Sequence, residues 1–183
     1  MSVIYMLISE NAELMALLSL IKSFGLKDCW LCAGTLRNYV WNQLSGIDKT
    51  FTSDLDVIFF DTQMSYEATL ELEKRIKQAY PAYDWEIKNE YYMNGHSPNS
   101  QPYVSSKDAI SKFPEKCTAI AARLDENDHL ELFLPYGEEE IVNFLVRPTP
   151  YFLEDDLRYA VYLERVKKKH WDRTWAHVRV LER

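Results

Sequence analysis

Two carboxylates stand at the start of an apolar run in the stretch TSDLDVIFFD, residues 52–61. Asp54 and Asp56 are two positions apart, and the run Val57–Phe60 that follows is typical of a buried β-strand. Side chains two apart in a strand point to the same face, with Cα atoms about 6.5–7 Å apart. Two carboxylates this close raise each other's pKa unless a cation lies between them. The pattern therefore predicts a Mg²⁺ (or Mn²⁺) site at Asp54 and Asp56, although D-x-D alone also fits a turn residue followed by a solvated acid.

A second candidate lies upstream, in LCAGTLRNYVW. Gly34 and Thr35 stand between a predicted strand and a predicted helix, where free backbone N–H groups and the helix dipole favour anions. Gly34 lets a ligand approach the backbone closely, and Arg37 can pair with a phosphate in a fork. We interpret Gly34, Thr35 and Arg37 as a phosphate site; the alternative is a plain strand-to-helix turn with Thr35 as N-cap.

A third carboxylate is needed to activate an attacking hydroxyl, and Glu86 in DWEIKN is the candidate. A pair of metals held by Asp54, Asp56 and Glu86 would clamp the attacking and leaving oxygens. Lys88, beside Glu86, and Arg147 are predicted phosphate contacts. A solvated strand acid remains the alternative for Glu86.

The elements that must position these residues follow from hydrophobic periodicity and caps. Ser9 is the predicted N-cap of a first helix with Leu14, Leu17, Leu18 and Ile21 on one face, and Gly25 its end. Further helices are predicted over 35–44, after Ser65, and over about 152–169, where acids at the start and lysines at the end match the helix dipole. Strands are predicted in DCWLCAG, LDVIFF and DWEIKN, with a hairpin around 126–128 and a loop over 94–105. These elements predict a mixed sheet with helices packed on it, an α/β (α+β) fold, in one domain over 1–183.

The net charge, the cysteine count and the distribution of apolar residues disfavour several classes of function. The chain has 183 residues and a net charge of −7, which disfavours strong nonspecific binding to nucleic acid. Its three cysteines are expected to be reduced thiols in the cytoplasm. The N-terminus lacks the pattern of a signal peptide, and no apolar stretch is long enough to predict a membrane span.

The quoted motifs resemble the nucleotidyltransferase superfamily with the DNA polymerase β-like palm. Together with WEIKN, PYGEEEIVNFLVRP and RVKKKHWDRTW, they resemble more closely a bacterial group of uncharacterised nucleotidyltransferases. The resemblance implies that Asp54 and Asp56 bind metal, that Gly34–Thr35 seat the phosphates of a nucleoside triphosphate, and that the nucleotide moves to an acceptor hydroxyl, which it does not name. The group often continues W-x-x-K-N with Gln-Ala-Arg-Met-His, where this chain has Glu90–Asn94.

Three other readings stay open. Glycosyltransferases also use D-x-D, but there the acids usually follow an apolar strand, whereas here they precede one. CWLC invites a redox or zinc site, although residues three apart in a strand face opposite sides. The same fold could serve as a catalytically silent nucleotide- or partner-binding module, such as a toxin–antitoxin component; Glu86 away from Asp54 and Asp56 would favour that reading.

Overall fold

A computed structural model describes residues 2–182 of the chain. Two helices open it, α1 (Val3–Ser9) and α2 (Ala12–Ser23). The predicted N-cap at Ser9 is wrong, because Ser9 is the last residue of α1 and Asn11 caps α2 by accepting from the Leu14 N–H at 2.8 Å. The predicted buried stripe and the turn at Gly25, where φ is +64°, are confirmed.

Five strands form the central mixed sheet, in the order β3-β2-β1-β4-β5. Only β2 and β3 run parallel; the other pairs are antiparallel. The strands are β1 (Trp30–Cys32), β2 (Leu55–Phe59), β3 (Trp85–Asn89), β4 (Ala121–Leu124) and β5 (Leu130–Phe133), the last two forming the predicted hairpin. Helix α3 (Gly34–Leu44) connects β1 to β2, and α4 (Tyr66–Ala79) connects β2 to β3, with Ser65 capping α4 as predicted. This arrangement confirms the predicted mixed sheet flanked by helices.

The two faces of this sheet differ in composition. One face, here called the helical face, includes Leu31, Leu55, Val57, Phe59 and Ile87, which belong to the same buried cluster as the apolar residues of α1, α2 and α3. The other, here called the acidic face, carries Cys32, Asp56, Ile58, Glu86 and Ala121. Strand alternation produces this division, because neighbours in β2 point to opposite sides.

The C-terminal part follows the hairpin. The helix predicted over about 152–169 ends at Lys169 as expected but is wrong at its start, because the structure has α7 (Pro150–Leu153) and, separately, α8 (Asp156–Lys169). Asp155 is extended between them, and its carboxylate caps α8 by accepting from the N–H groups of Leu157 and Arg158. The acid and lysines expected at the two ends of α8 are present. The other α-helices and strands among the described residues are α5 (Ser106–Ser111), which lies before the hairpin, α6 (Glu139–Val142), and the short parallel pair β6 (Leu145–Val146) and β7 (Arg179–Val180).

The cysteines are free thiols, and the two C-terminal tryptophans pack in the core. All three cysteines, which lie within the described residues, are free; Cys29 packs against the large core and Cys32 belongs to the cluster on the opposite face. Trp171 and Trp175 pack against Trp41, with ring centroids 6.2 and 5.1 Å away, and belong to the same buried core cluster. Among residues 2–182, no single helix has the length and apolar character to cross a bilayer; α1 and α2 pass that test only together, across an 81° bend.

Candidate active site

Three carboxylates meet at the entrance of β2. Asp54 directly precedes the strand and Asp56 is its second residue. Glu86 lies opposite Asp56 in the parallel register of β2 and β3. One oxygen from each of the three carboxylates lies within 4.8 Å of the other two. Hard oxygen ligands on adjacent strands, at this spacing, fit one divalent cation or a close pair.

The electrostatics of the three acids fit a cation. Burial, followed by the charge of Asp54, raises the pKa of Asp56 to about 6. A hydrogen bond with Asp54, followed by burial, raises the pKa of Glu86 to about 7. Arg37 and Lys169 act in the opposite direction on the pKa of Asp56. The protein thus holds three carboxyl groups together, and a divalent cation would relieve the repulsion between their ionised forms.

The first turn of α3 is fastened to the acids. The Gly34 N–H donates to the Asp56 carboxylate. The Thr35 hydroxyl donates to the Asp54 carbonyl at 3.1 Å and accepts from the Asp56 N–H at 2.9 Å. Both hydrogen bonds of the Thr35 hydroxyl are therefore made within the protein. The backbone N–H of Thr35, in the first turn of α3, is the group that can bind a phosphate.

The backbone before α3 is strained. Ala33 has φ of 57° and ψ of −131°, a region that glycine adopts more readily than alanine. This conformation turns the chain from β1 into α3 and brings the start of the helix to Asp56. At Gly34 a Cβ would lie 3.5 Å from Asp56 Oδ2 and 3.6 Å from Arg37 Nη2. Both distances are ordinary van der Waals contacts, so packing alone does not require a glycine here. The lack of a side chain at Gly34 chiefly leaves open the space between the Asp56 carboxylate and the Arg37 guanidinium.

Arg37 is buried but faces this space. Its Nε and Nη2 donate to Asn38 Oδ1 at 3.2 and 2.9 Å, and its Nη1 donates to Thr118 Oγ1 at 2.6 Å. The guanidinium also lies over the rings of Trp41 and Trp171, 5.0 and 4.6 Å from their centroids. These contacts fix the position of the guanidinium before any ligand binds.

Gly34, Arg37 and the three acids line one cleft of about 320 Å³. Two further cations line it from the end of α8, Arg165 and Lys169. Sequence reasoning missed both, because it explained the lysines at the end of this helix by the helix dipole alone. The available signal was their spacing, since residues four apart lie on one face of a helix. Asn38, Ser53 and Trp171 also line the cleft and were missed.

A buried acid, Glu115, holds Arg165 directly and Arg37 through Thr118. Glu115 is fully buried and accepts from Arg165 Nε at 2.5 Å and from the Thr118 hydroxyl at 2.6 Å. Thr118 in turn accepts from Arg37, so one network connects α3, the segment before β4 and α8. Buried charges need such partners, and here the partners hold two guanidinium groups at one cleft.

The other predicted phosphate contacts lie elsewhere. Lys88 does not line this cleft but a neighbouring cavity, where it lies 3.5 Å from Glu73. Arg147 pairs with Glu140 at 3.5 Å.

Asp61, which follows the other end of β2, lies away from the three acids. Its carboxylate accepts from the Gln63 N–H at 2.8 Å and from Lys27 at 3.2 Å, as a turn residue does.

Comparison with known proteins decides the family. A family model described as nucleotidyltransferase matches residues 19–180. This chain belongs to the nucleotidyltransferase family. A solved protein, whose structure is described as revealing a CCA-adding enzyme head domain, is 47% identical, with 98% of this chain and 95% of that one aligned at a TM-score of 0.92. No match was found among curated proteins.

More distant structures share the fold. The Thermotoga maritima CCA-adding enzyme complexed with tRNA aligns with 98% of this nucleotidyltransferase at 14% identity and a TM-score of 0.57. A tRNA nucleotidyltransferase complexed with a primer tRNA and an incoming ATP analogue aligns with 80% at 16% identity and a TM-score of 0.50. The alignments span only 42% and 43% of those two chains.

Proposed function

We propose that this chain, as one domain, is a metal-dependent enzyme that moves a nucleoside monophosphate from a nucleoside triphosphate to an acceptor hydroxyl. The observation that carries the proposal is the convergence of Asp54, Asp56 and Glu86 within 4.8 Å, beside a cleft with three cations. A catalytically silent module would not need the third carboxylate, and Glu86 lies with the other two. The acid-before-strand order likewise favours this chemistry over a glycosyltransferase.

The residues divide into three tasks. Asp54 and Asp56 would hold Mg²⁺ or Mn²⁺, with Glu86 completing the ligand set; when bound, the cation supplies charge neutralisation and polarises the phosphates. Thr35, through its backbone N–H, and Arg37, through its guanidinium, would bind the triphosphate at Gly34, whose lack of a side chain leaves room for it, and Arg165 and Lys169 would add positive charge from α8. Phosphoryl chemistry chiefly needs such positioning and charge stabilisation.

Glu86 is the proposed base. It is exposed at the edge strand β3, whereas Asp56 is more deeply buried, so a hydroxyl can approach Glu86 from outside the cleft. Its carboxylate would take the hydroxyl proton, provided that it is ionised. A cation held by Asp54 and Asp56 would favour that state, because it would offset their negative charges, which contribute to the raised pKa of Glu86 after the hydrogen bond with Asp54 and burial.

The test is transfer from radiolabelled nucleoside triphosphates, with Mg²⁺ or Mn²⁺, to pooled metabolites, RNA and protein. We expect Asp54→Asn/Asp56→Asn to lower transfer at least about 100-fold, because the charge that holds the cation is lost. Asp84→Asn is the matched control, since Asp84 is an exposed acid next to β3 and lies outside the three-acid group. Equal transfer by wild type and the double variant would contradict the proposal.

A further inference from the structure

A second cavity lies against the same edge strand, on the other side of Glu86. This edge cavity has a volume of about 340 Å³ and lies between α4, β3 and the segment after β3. Its lining includes Tyr66, Glu73, Glu86, Lys88, Tyr92 and His96. Among residues 2–182, Glu86 alone lines both the edge cavity and the cleft with Gly34. A compound bound in the edge cavity would therefore meet the proposed base from the side opposite the phosphate site.

The edge cavity has an exposed aromatic wall. Tyr66 is 50% exposed, and its ring lies 5.5 Å from that of Tyr92. The Tyr92 hydroxyl donates to the Met64 carbonyl at 2.8 Å, which holds this ring in place. Leu70, at 49% exposure, extends the same surface. Exposed aromatic surface beside a catalytic site is suited to packing against the flat face of a ring.

The charges around the edge cavity disfavour a phosphate. Glu73 and Glu86 line it, and Lys88 is the lysine among its lining residues. Lys88 lies 3.5 Å from one oxygen of Glu73, whose other oxygen accepts from Lys77 at 2.6 Å. The positive charge of Lys88 also acts on Glu86 and Glu90, where it only partly opposes the effects that raise their pKa values. Carboxylates, an ammonium group and an imidazole together offer many hydrogen bonds to hydroxyl groups, but little net positive charge for an anion.

We propose that the edge cavity is the acceptor site and that the acceptor is a small polyhydroxylated compound without phosphate groups. The ring of the acceptor packs on the Tyr66 side chain. Glu73 and Lys88 bind its hydroxyl groups, and one hydroxyl points to Glu86. That oxygen forms a bond to the α-phosphorus, the bond from the α-phosphorus to the bridging oxygen breaks, and pyrophosphate leaves with the electron pair. The hydroxyl proton passes to Glu86 and then to water. This inference rests on the proposed function.

The first experiment offers the enzyme, with Mg²⁺ and labelled triphosphate, three sets of acceptors: monosaccharides, amino sugars and cyclitols; their phosphorylated counterparts; and tRNA transcripts. We expect transfer to a member of the unphosphorylated set. Transfer only to phosphorylated compounds or to tRNA would overturn the acceptor assignment while leaving the proposed function intact. The acceptor assignment would also be overturned if the protein bound the triphosphate, measured by tryptophan fluorescence, but transferred nothing to any unphosphorylated compound. A protein that binds no triphosphate would overturn the proposed function and this inference together.

The second experiment uses Tyr66→Ala, a change at a half-exposed residue, with Tyr5→Ala as the matched control. Tyr5 is 41% exposed on α1 and lines neither cavity. We expect Tyr66→Ala to raise KM for the acceptor about tenfold and to change KM for the triphosphate less than about twofold. Tyr5→Ala should change neither. An equal rise in both constants, or no rise in KM for the acceptor, would contradict the assignment.

Discussion

Neighbouring residues of β2 have opposite roles, because they lie on opposite faces of the sheet. Val57 and Phe59 are fully buried on the helical face, where burial of apolar surface stabilises the fold. Asp56 lies on the acidic face, where like charges meet and the backbone at Ala33 is strained. The comparison indicates that one face provides stability and the other holds groups whose arrangement lowers it. Functional sites commonly combine such unfavourable groups on a stable frame.

The largest expected effect is on the helical face. Phe59→Ala should lower the free energy of unfolding by about 3–5 kcal/mol, because it leaves a cavity in a closed core. Urea denaturation measures this change. Asp56→Asn, on the same strand, should leave that free energy equal or higher in metal-free buffer, since it removes one of two neighbouring charges. A comparable loss of stability in both variants would break the distinction between the two faces.

The next effect concerns Glu90, which follows β3. Burial raises its pKa from 4.5 to about 7. The folded protein therefore binds this proton more tightly than the unfolded chain, and the contribution of Glu90 to stability falls as pH rises from about 4.5 to about 7. Glu90→Gln removes the buried charge, so its gain over wild type should be small near pH 5 and reach about 3 kcal/mol near pH 8.

Urea denaturation of wild type and Glu90→Gln near both pH values checks this prediction. Glu71→Gln, at an exposed position of α4, is the control and should show no such pH-dependent gain. A gain that is the same at both pH values would show that the ionisation of Glu90 is not its cause.

The smallest expected effect is at Ala33. Ala33→Gly should raise the free energy of unfolding by about 1 kcal/mol, because relief of the positive φ outweighs the greater flexibility of glycine in the unfolded chain. Thermal or urea denaturation detects a change of this size. Ala68→Gly, at an exposed position inside α4, should have the opposite sign and cost up to about 1 kcal/mol. Loss of stability in both variants would argue against strain at Ala33.

Local pattern was sufficient for much of this protein. The alternation in TSDLDVIFFD places Asp54 and Asp56 beside each other, and the apolar run after them makes the buried strand. Caps and periodicity predicted α4, and turn chemistry predicted the hairpin of β4 and β5. These features depend on residues close in sequence. The errors at Ser9 and at Asp155 are also local, since neighbouring capping residues compete and small differences in backbone geometry decide between them.

Only the tertiary structure decided which distant residues share the site. The parallel pairing of β2 with β3 brings Glu86 to Asp56, and no spacing in the chain encodes that register. The packing of α8 brings Arg165 and Lys169 to the cleft, whereas its composition alone suggests a solvated helix end. The sequence by itself determined the pair of carboxylates, Asp54 and Asp56, that we propose to bind a metal, and the strand that carries them. The third acid and the cations of α8 depended on long-range pairing and packing, which are set by the whole core rather than by any one segment.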